Sequence, residues 1–188
     1  ALNIPGEDAE GVMSAVELLH TTTENESYAI NGRSVVIGGG NVAIDVARTN
    51  TRCGASEVSM FCLESRDEMP AADEEVAEAL EEGVNLQCGW GPKEILTENG
   101  KVTGVVFKKC LSVKDYDGRF NPTFDEDDTI TVPCENVYLS IGQSIEWGNL
   151  LDGTKVELGR GNGIVADPLT YQTAEPDIFA GGDVYTGP

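Results

Sequence analysis

The sequence predicts an α/β protein: a three-layer domain with a central parallel sheet and an antiparallel β-meander, flanked at both ends by partial segments of a second domain. Three observations lead there. The apolar run Ser34-Val35-Val36-Ile37 meets a glycine-rich turn, Gly38-Gly39-Gly40, that opens a helix-like stretch. Apolar strands then alternate with helical periodicity over residues 34–88, the pattern of βαβ units. Residues 94–132 lose the helical period and carry Asn99-Gly100, the dipeptide that two-residue hairpin turns favour.

Taken in order, residues 1–30 hold the turn Ile4-Pro5-Gly6-Glu7, then Val12, Val16, Leu18 and Leu19 at helical spacing, then a polar linker over 21–27. Residues 34–37 read as a buried strand and 41–51 as a helix with Val42, Ile44, Val46 and Ala47 on its apolar side, stopped at Gly54. Residues 57–63 form the next strand. Pro70 followed by Asp73, Glu74 and Glu75 suits a helix start, because acids favour the positive end of the helix dipole; Gly83 ends that helix and 84–88 is a third strand. A hairpin turns at Asn99-Gly100 and a meander runs over 110–132. Residues 137–142 form a further buried strand and 163–165 a short one.

The 188 residues carry 12 basic and 33 acidic side chains, a net charge of −21. That balance excludes a nucleic-acid binder, which needs clustered Lys and Arg. No run of about 18 apolar residues is present to span a membrane, so a soluble, cytoplasmic protein is expected. Cys53, Cys62, Cys88, Cys110 and Cys134 are odd in number and include no Cys-x-x-Cys pair, so they read as small core residues of a reduced compartment. His20 reads as structural or surface. No metal site is expected: Asp115-x-Asp117-Gly118 resembles a calcium loop only superficially and suits a hairpin turn, and Asp125 to Asp128 suit a solvated loop. Trp90, between two glycines, suits core packing more than a cofactor wall.

In Gly38-x-Gly40-x-x-Ala43 the first glycine permits a tight strand-to-helix turn, the second lets a pyrophosphate approach bare backbone, and Ala43 keeps helix and sheet close. The helix amino terminus, Asn41 and Val42 included, would then present unpaired N–H groups to the phosphates. With a strand before it and a helix after it, the motif predicts a Rossmann-like dinucleotide site. Glu64, 64 − 40 = 24 residues past the second glycine, is placed to accept hydrogen bonds from the adenosine ribose and to repel a 2′-phosphate, which favours NAD over NADP. The alternative is that Glu64 turns to solvent and Arg66 holds a phosphate.

Ile4-Pro5-Gly6-Glu7, residues 38–45, Glu68-Met69-Pro70-Ala71, Gly91-Pro92-Lys93-Glu94-Ile95, Ser140-Ile141-Gly142-Gln143 and the closing Ala180-Gly181-Gly182-Asp183 together resemble the glutamate synthase small-subunit group of the pyridine nucleotide-disulphide oxidoreductase superfamily. The resemblance covers nearly the whole chain. It implies a nicotinamide-nucleotide domain at 26–147, inserted between a connector from an FAD domain at 1–25 and a return segment of that domain at 148–188. Gly182 and Asp183 would face the flavin; Gly142 and Gln143, which follow a strand's carboxyl end, are expected on fold logic to lie beside the nicotinamide. The family's FAD pyrophosphate turn and iron-sulfur segment would lie upstream. One departure stands out: NADPH-dependent members carry two arginines where this chain has Leu63-Glu64.

The expectation is a flavoprotein oxidoreductase that passes hydride from NADH, or less readily NADPH, to FAD and on to a partner domain, an iron-sulfur protein or another acceptor subunit. Such chemistry belongs to the cofactors, so no catalytic side chain is expected. The alternative is a dinucleotide-binding sensor or regulatory module without catalysis of its own.

Overall fold

Five parallel strands organise this computed structural model, which describes residues 2–142 and 144–187. The chain divides into two units, Ala1–Ile141 and Gly142–Pro188. In the first, β1 (Val12–Ser14), α1 (Ala15–Glu24), β2 (Arg33–Ile37), α2 (Asn41–Arg52), β3 (Glu57–Cys62), α3 (Asp73–Glu81) and β4 (Asn85–Cys88) are followed by β5 (Trp90–Glu98), β6 (Lys101–Lys114), β7 (Phe120–Pro133) and β8 (Asn136–Leu139). The parallel sheet runs in the order β1-β8-β2-β3-β4, and β5-β6-β7 form a separate antiparallel sheet. The α/β class and the three-layer architecture read from the sequence are the ones found.

Both faces of the parallel sheet are covered at its centre, which is why β2, β3 and β8 are rich in buried apolar residues while the edge strands β1 and β4 are not. Val36, Met60, Cys62 and Tyr138 join Leu18, Ile44 and Val76 in a core on the helical side. Val35, Ile37, Phe61 and Val137 join Val105 and Phe107 in a second core, against the antiparallel sheet. The rings of Phe61 and Phe107 stack with centroids 4.0 Å apart and planes 14° apart, joining the two sheets. Burying such a side chain stabilises the fold by roughly 1.5–3 kcal/mol.

Local chemistry fixes the element ends. Ser14 Oγ accepts the Glu17 N–H at 3.2 Å and starts α1. The polar stretch read as a linker from residue 21 is helical through Glu24, where the hydroxyls of Thr21, Thr22 and Thr23 turn back onto the carbonyls of Glu17, Leu18 and Leu19 and so are satisfied without breaking the last turn. Residues 12–24, read from sequence as part of a connector, thus supply the edge strand β1 and a covering helix of the sheet. Arg48 on α2 ties down α3 through Glu75, Glu78 and Glu82 at 3.2, 2.7 and 2.9 Å. At the β5–β6 hairpin Asn99 (φ 51°) and Gly100 (φ 80°) both take the left-handed conformation that a type I′ turn demands.

Ile4-Pro5-Gly6-Glu7 has a structural account. The Pro5 carbonyl accepts the Ile95 N–H at 2.9 Å, and a side chain on Gly6 would collide with the Ile95 carbonyl. Glu7 accepts the N–H groups of Leu2 and Asn3 at 2.6 and 2.7 Å. Asp115 Oδ1 accepts the N–H groups of Asp117 and Arg119 at the β6–β7 turn. The acidic run at 125–128, expected as a loop, lies inside β7, where the pairing register with β6 slips and Asp125 Oδ1 accepts the Asp127 and Asp128 N–H groups.

The second unit has little regular structure. Its pairings are the bridges Leu158 to Ile164 and Gln172 to Phe179, with α4 (Asp183–Thr186) near its end. The strand expected at 163–165 is reduced to the first of these bridges. Gly161 (φ 66°) and Asn162 (φ 62°) reverse the chain so tightly that no ladder extends from it. Within this unit Ile164, Thr173 and Ala180 are buried.

Candidate functional site

The glycine turn sits where the parallel sheet changes direction. From β2 the chain steps outward through β3 and β4 on one side, while β8 and β1 occupy the other, the arrangement that opens a crevice beyond the carboxyl ends of the strands. Gly38 N–H donates to the Phe61 carbonyl at 2.9 Å, and Ser140 N–H donates to the Ile37 carbonyl at 2.8 Å, so both neighbouring strands pin the turn. Gly38 has φ 150°, and a side chain there would collide with the Ser140 carbonyl. Only glycine satisfies both conditions.

Gly40 does different work. It caps α2 without a side chain to accept the first helical N–H groups, and a methyl group built on it would meet no atom within 4 Å. The amino end of a 12-residue helix therefore faces open space with its partial positive charge unmatched. Ala43 is wholly buried against the sheet, and Val42 is exposed at the edge of the turn. Asn41 is engaged: its Oδ1 accepts the Ala72 N–H at 2.9 Å while the Gly39 carbonyl accepts the Ala71 N–H at 3.1 Å. These bonds brace the Met69-Pro70-Ala71 loop against the turn, which explains why that motif accompanies the glycines.

Glu64 lies over the turn. A methyl group built on Gly39 would sit 2.8 Å from Glu64 Oε2 and 3.1 Å from Cys62 Cβ, so Gly39 leaves room for the carboxylate. Beyond Glu64 opens a cleft of about 360 Å³, lined by Leu63, Ser65 and Arg66 from the loop after β3 and by Lys109, Cys110 and Ser112 from β6. Its size falls in the range of small-molecule sites. Arg66 Nη2 donates to Asp73 Oδ1 at 2.8 Å, a surface pair whose acid is 88% exposed. Under the site, burial pushes the Cys62 thiol well above its ordinary pKa; beside it lies Cys88, its register partner on β4. Cys134 is pushed up to about 12, again by burial. Cys62 and Cys134 are packed neutral. Among the described residues no group of three His, Cys, Asp or Glu could hold a metal ion, and no helix is long and apolar enough to cross a membrane.

The structure thus brings Gly38, Gly39, Gly40, Asn41, Val42, Ala43, Glu64 and Arg66 to one end of the parallel sheet. Gly142 (φ 98°), Gly182 (φ 64°) and the exposed Asp183 belong to the second unit, where Gly182 caps α4. Gln143 lies outside the described residues. Sequence reasoning missed Ser65, Lys109 and Ser112. Lys109 and Ser112 reach the cleft only through the β5–β6–β7 register, which leaves no local signal. Trp90, weighed above as core or cofactor wall, packs at the edge of the second core with the Lys109 ammonium over its ring, 4.8 Å from the centroid.

A family model described as pyridine nucleotide-disulphide oxidoreductase matches residues 1–188. The beta subunit of NADP(+)-dependent formate dehydrogenase from Moorella thermoacetica is 35% identical over 99% of this chain and 27% of its own length. The small chain of NADPH glutamate synthase from Escherichia coli (strain K12) is 34% identical over 98% of this chain and 42% of its own. The chain therefore spans less than half the length of these curated relatives. Among solved structures, FprA of Mycobacterium tuberculosis in complex with NADPH superposes with a TM-score of 0.75 at 18% identity, over 100% of this chain and 56% of that one. That likeness is one of fold.

Proposed function

Starting from a chain that belongs to the pyridine nucleotide-disulphide oxidoreductase family, we propose that its first unit binds the reduced nicotinamide nucleotide of a flavoprotein oxidoreductase. Electrons then pass to FAD and on to a partner domain or subunit. The observation that carries this reading is the uncapped α2 terminus at Gly40, open to solvent beside a carboxylate held over Gly39.

The chain's residues would divide the work. Backbone N–H groups at the start of α2 hold the pyrophosphate, and Gly38 and Gly40 let it approach. Glu64 accepts hydrogen bonds from the adenosine ribose. Arg66 and the cleft beside it take the outer end of the nucleotide. Nicotinamide and flavin, when bound, supply the hydride donor and acceptor, so the protein's part is orientation and exclusion of water. Residues 1–25 and 148–188 are read as crossings to and from an FAD domain, with Gly182 and Asp183 toward the flavin and Gly142 and Gln143 toward the nicotinamide. The named relatives are subunits, which favours an acceptor subunit as partner.

Glu64 considered alone favours NADH. Two curated relatives carry NADP or NADPH in their names, and the cleft beyond Glu64 contains Arg66 and Lys109. We therefore assign NADPH as the preferred nucleotide and reverse the order expected from sequence. The test is titration of the intact protein with NADPH and NADH, for the wild type and Glu64→Gln. NADPH should bind more tightly than NADH, and Glu64→Gln should widen the difference. Tighter NADH binding by the wild type would restore the sequence-based order; binding of neither nucleotide in the millimolar range would overturn the assignment.

A further inference from the structure

Most ion-paired cations of this strongly acidic chain are neutralised close at hand: Lys93 and Lys108 by Glu126, Lys101 by Glu10, Arg33 by Glu135, Arg48 and Arg52 by Glu82. Lys114, Arg119, Lys155 and Arg160 lie exposed on the surface, whereas Lys109 is half-buried. Among the described residues no carboxylate lies within ion-pair distance of it, and its ammonium rests over the Trp90 ring while lining the cleft beside Glu64. The position is built. Lys109 on β6 is the register partner of Trp90 on β5. Gly89, with φ 77°, leaves the space the ammonium uses, since a methyl group there would sit 3.2 Å from Lys109 Nζ. The cleft also presents Arg66 and one carboxylate, Glu68, which accepts the Ser65 hydroxyl at 2.8 Å, so its two cations outnumber its one acid and a half-buried lysine held against an aromatic face is left to meet an anion.

We propose that Lys109 is the residue through which this site accepts a phosphate on the adenosine ribose, and so a determinant of NADPH over NADH contributed by the antiparallel sheet. The inference rests on the nucleotide-binding reading above. It also resolves the conflict within the site. Glu64 beside the ribose repels a 2′-phosphate, and Arg66 is shared with Asp73. A second cation reaching in from β6 offsets the carboxylate without replacing it, so Glu64 can still hold a ribose hydroxyl while the phosphate turns toward Lys109. The selectivity would thus be split between two sheets.

The experiment is calorimetric titration of the intact protein with NADPH, NADH, 2′,5′-ADP and 5′-AMP, for the wild type, Lys109→Met and Lys109→Arg. Lys109→Met keeps the stem that covers Trp90 and removes the charge. NADPH and 2′,5′-ADP should bind it about tenfold more weakly, while NADH and 5′-AMP change by less than about twofold. Lys109→Arg should restore most of the loss, and added salt should weaken NADPH binding less in Lys109→Met than in the wild type. If the wild type binds these nucleotides and Lys109→Met leaves the NADPH to NADH ratio unchanged, the role assigned to Lys109 is wrong while the site stands. Equal loss of all four ligands would make Lys109 a structural support and overturn the proposal. A wild type that binds none of them overturns the nucleotide reading itself, and the Lys109 role with it.

Discussion

The two units of this chain use apolar residues in opposite ways. In Ala1–Ile141 the large apolar side chains of β2, β3 and β8, with Val105 and Phe107 of β6, are buried on both faces of the parallel sheet and against the antiparallel one, and exposure is greatest at the far end of the β6–β7 hairpin, at Leu111, Tyr116 and Phe120. In Gly142–Pro188 Leu150, Leu158, Val165, Leu169, Tyr171 and Phe179 are exposed, Leu169 at 88%. The difference follows from element structure. A strand or helix several turns long presents a face that a second layer can cover, whereas turns joined by single bridges present side chains in all directions. The first unit carries its own core; the second has the composition of one without the layers to make it.

The strongest way to break this contrast is to truncate one phenylalanine in each unit. Phe107→Ala removes the ring that stacks on Phe61 between the sheets and should cost roughly 3–5 kcal/mol. Phe179→Ala, at 61% exposure, should stay within about 0.5 kcal/mol. Chemical denaturation of both variants checks this, and comparable losses would mean that Phe179 is buried in solution. Amide hydrogen exchange sharpens the same contrast: β2, β3 and β8 should exchange most slowly and 144–187 much faster, because single bridges open locally without global unfolding. Equal protection across both units would refute it.

The smallest effect concerns pH. Hydrogen bonds from Arg52, with Arg48 beside it, hold the Glu82 carboxyl below its ordinary pKa, and Arg33 does the same for Glu135. Carboxylates depressed in the folded state contribute stability that is present above the unfolded pKa of about 4.3 and lost as pH falls through the lower folded value. Both pairs lie in the first unit, and in the second the Thr170 and Leu169 N–H groups hold Asp167 below its ordinary pKa in the same sense, so acid should loosen both units, the first through its Arg–Glu pairs. Arg52→Met should flatten the acid limb of the melting curve slightly, and an unchanged limb would show that Glu82 does not contribute.

Much of this architecture is legible in the residues themselves. Ser34 to Ile37 followed by glycines specified a strand, a turn and a helix because sterics leave few alternatives, and Asn99-Gly100 specified its hairpin for the same reason. β1 was not legible. Val12-Met13-Ser14 is three residues long and runs straight into a helix, so its alternation is too short to stand apart from the helical period beginning at Val16. Glu64 could be placed by counting from the glycines, since a βαβ unit has nearly fixed dimensions. Lys109 could not, because its position depends on the register of β6 against β5, where pairing shifts occur between Pro92 and Glu94 and between Leu96 and Thr97.

The place of β8 between β1 and β2 has a consequence for synthesis. A ribosome delivers β1, β2, β3 and β4, then the whole meander, before residue 136 emerges. Until then the strand destined for the middle of the sheet is missing, and β1 and β2 face each other across an unfilled slot. Closing it joins segments more than a hundred residues apart in sequence, as in the Val12 to Val137 register, the kind of long-range pairing that slows folding. The same event delivers Ser140, which walls Gly38. A nascent chain therefore completes its sheet and gains the second wall of its glycine turn at one moment.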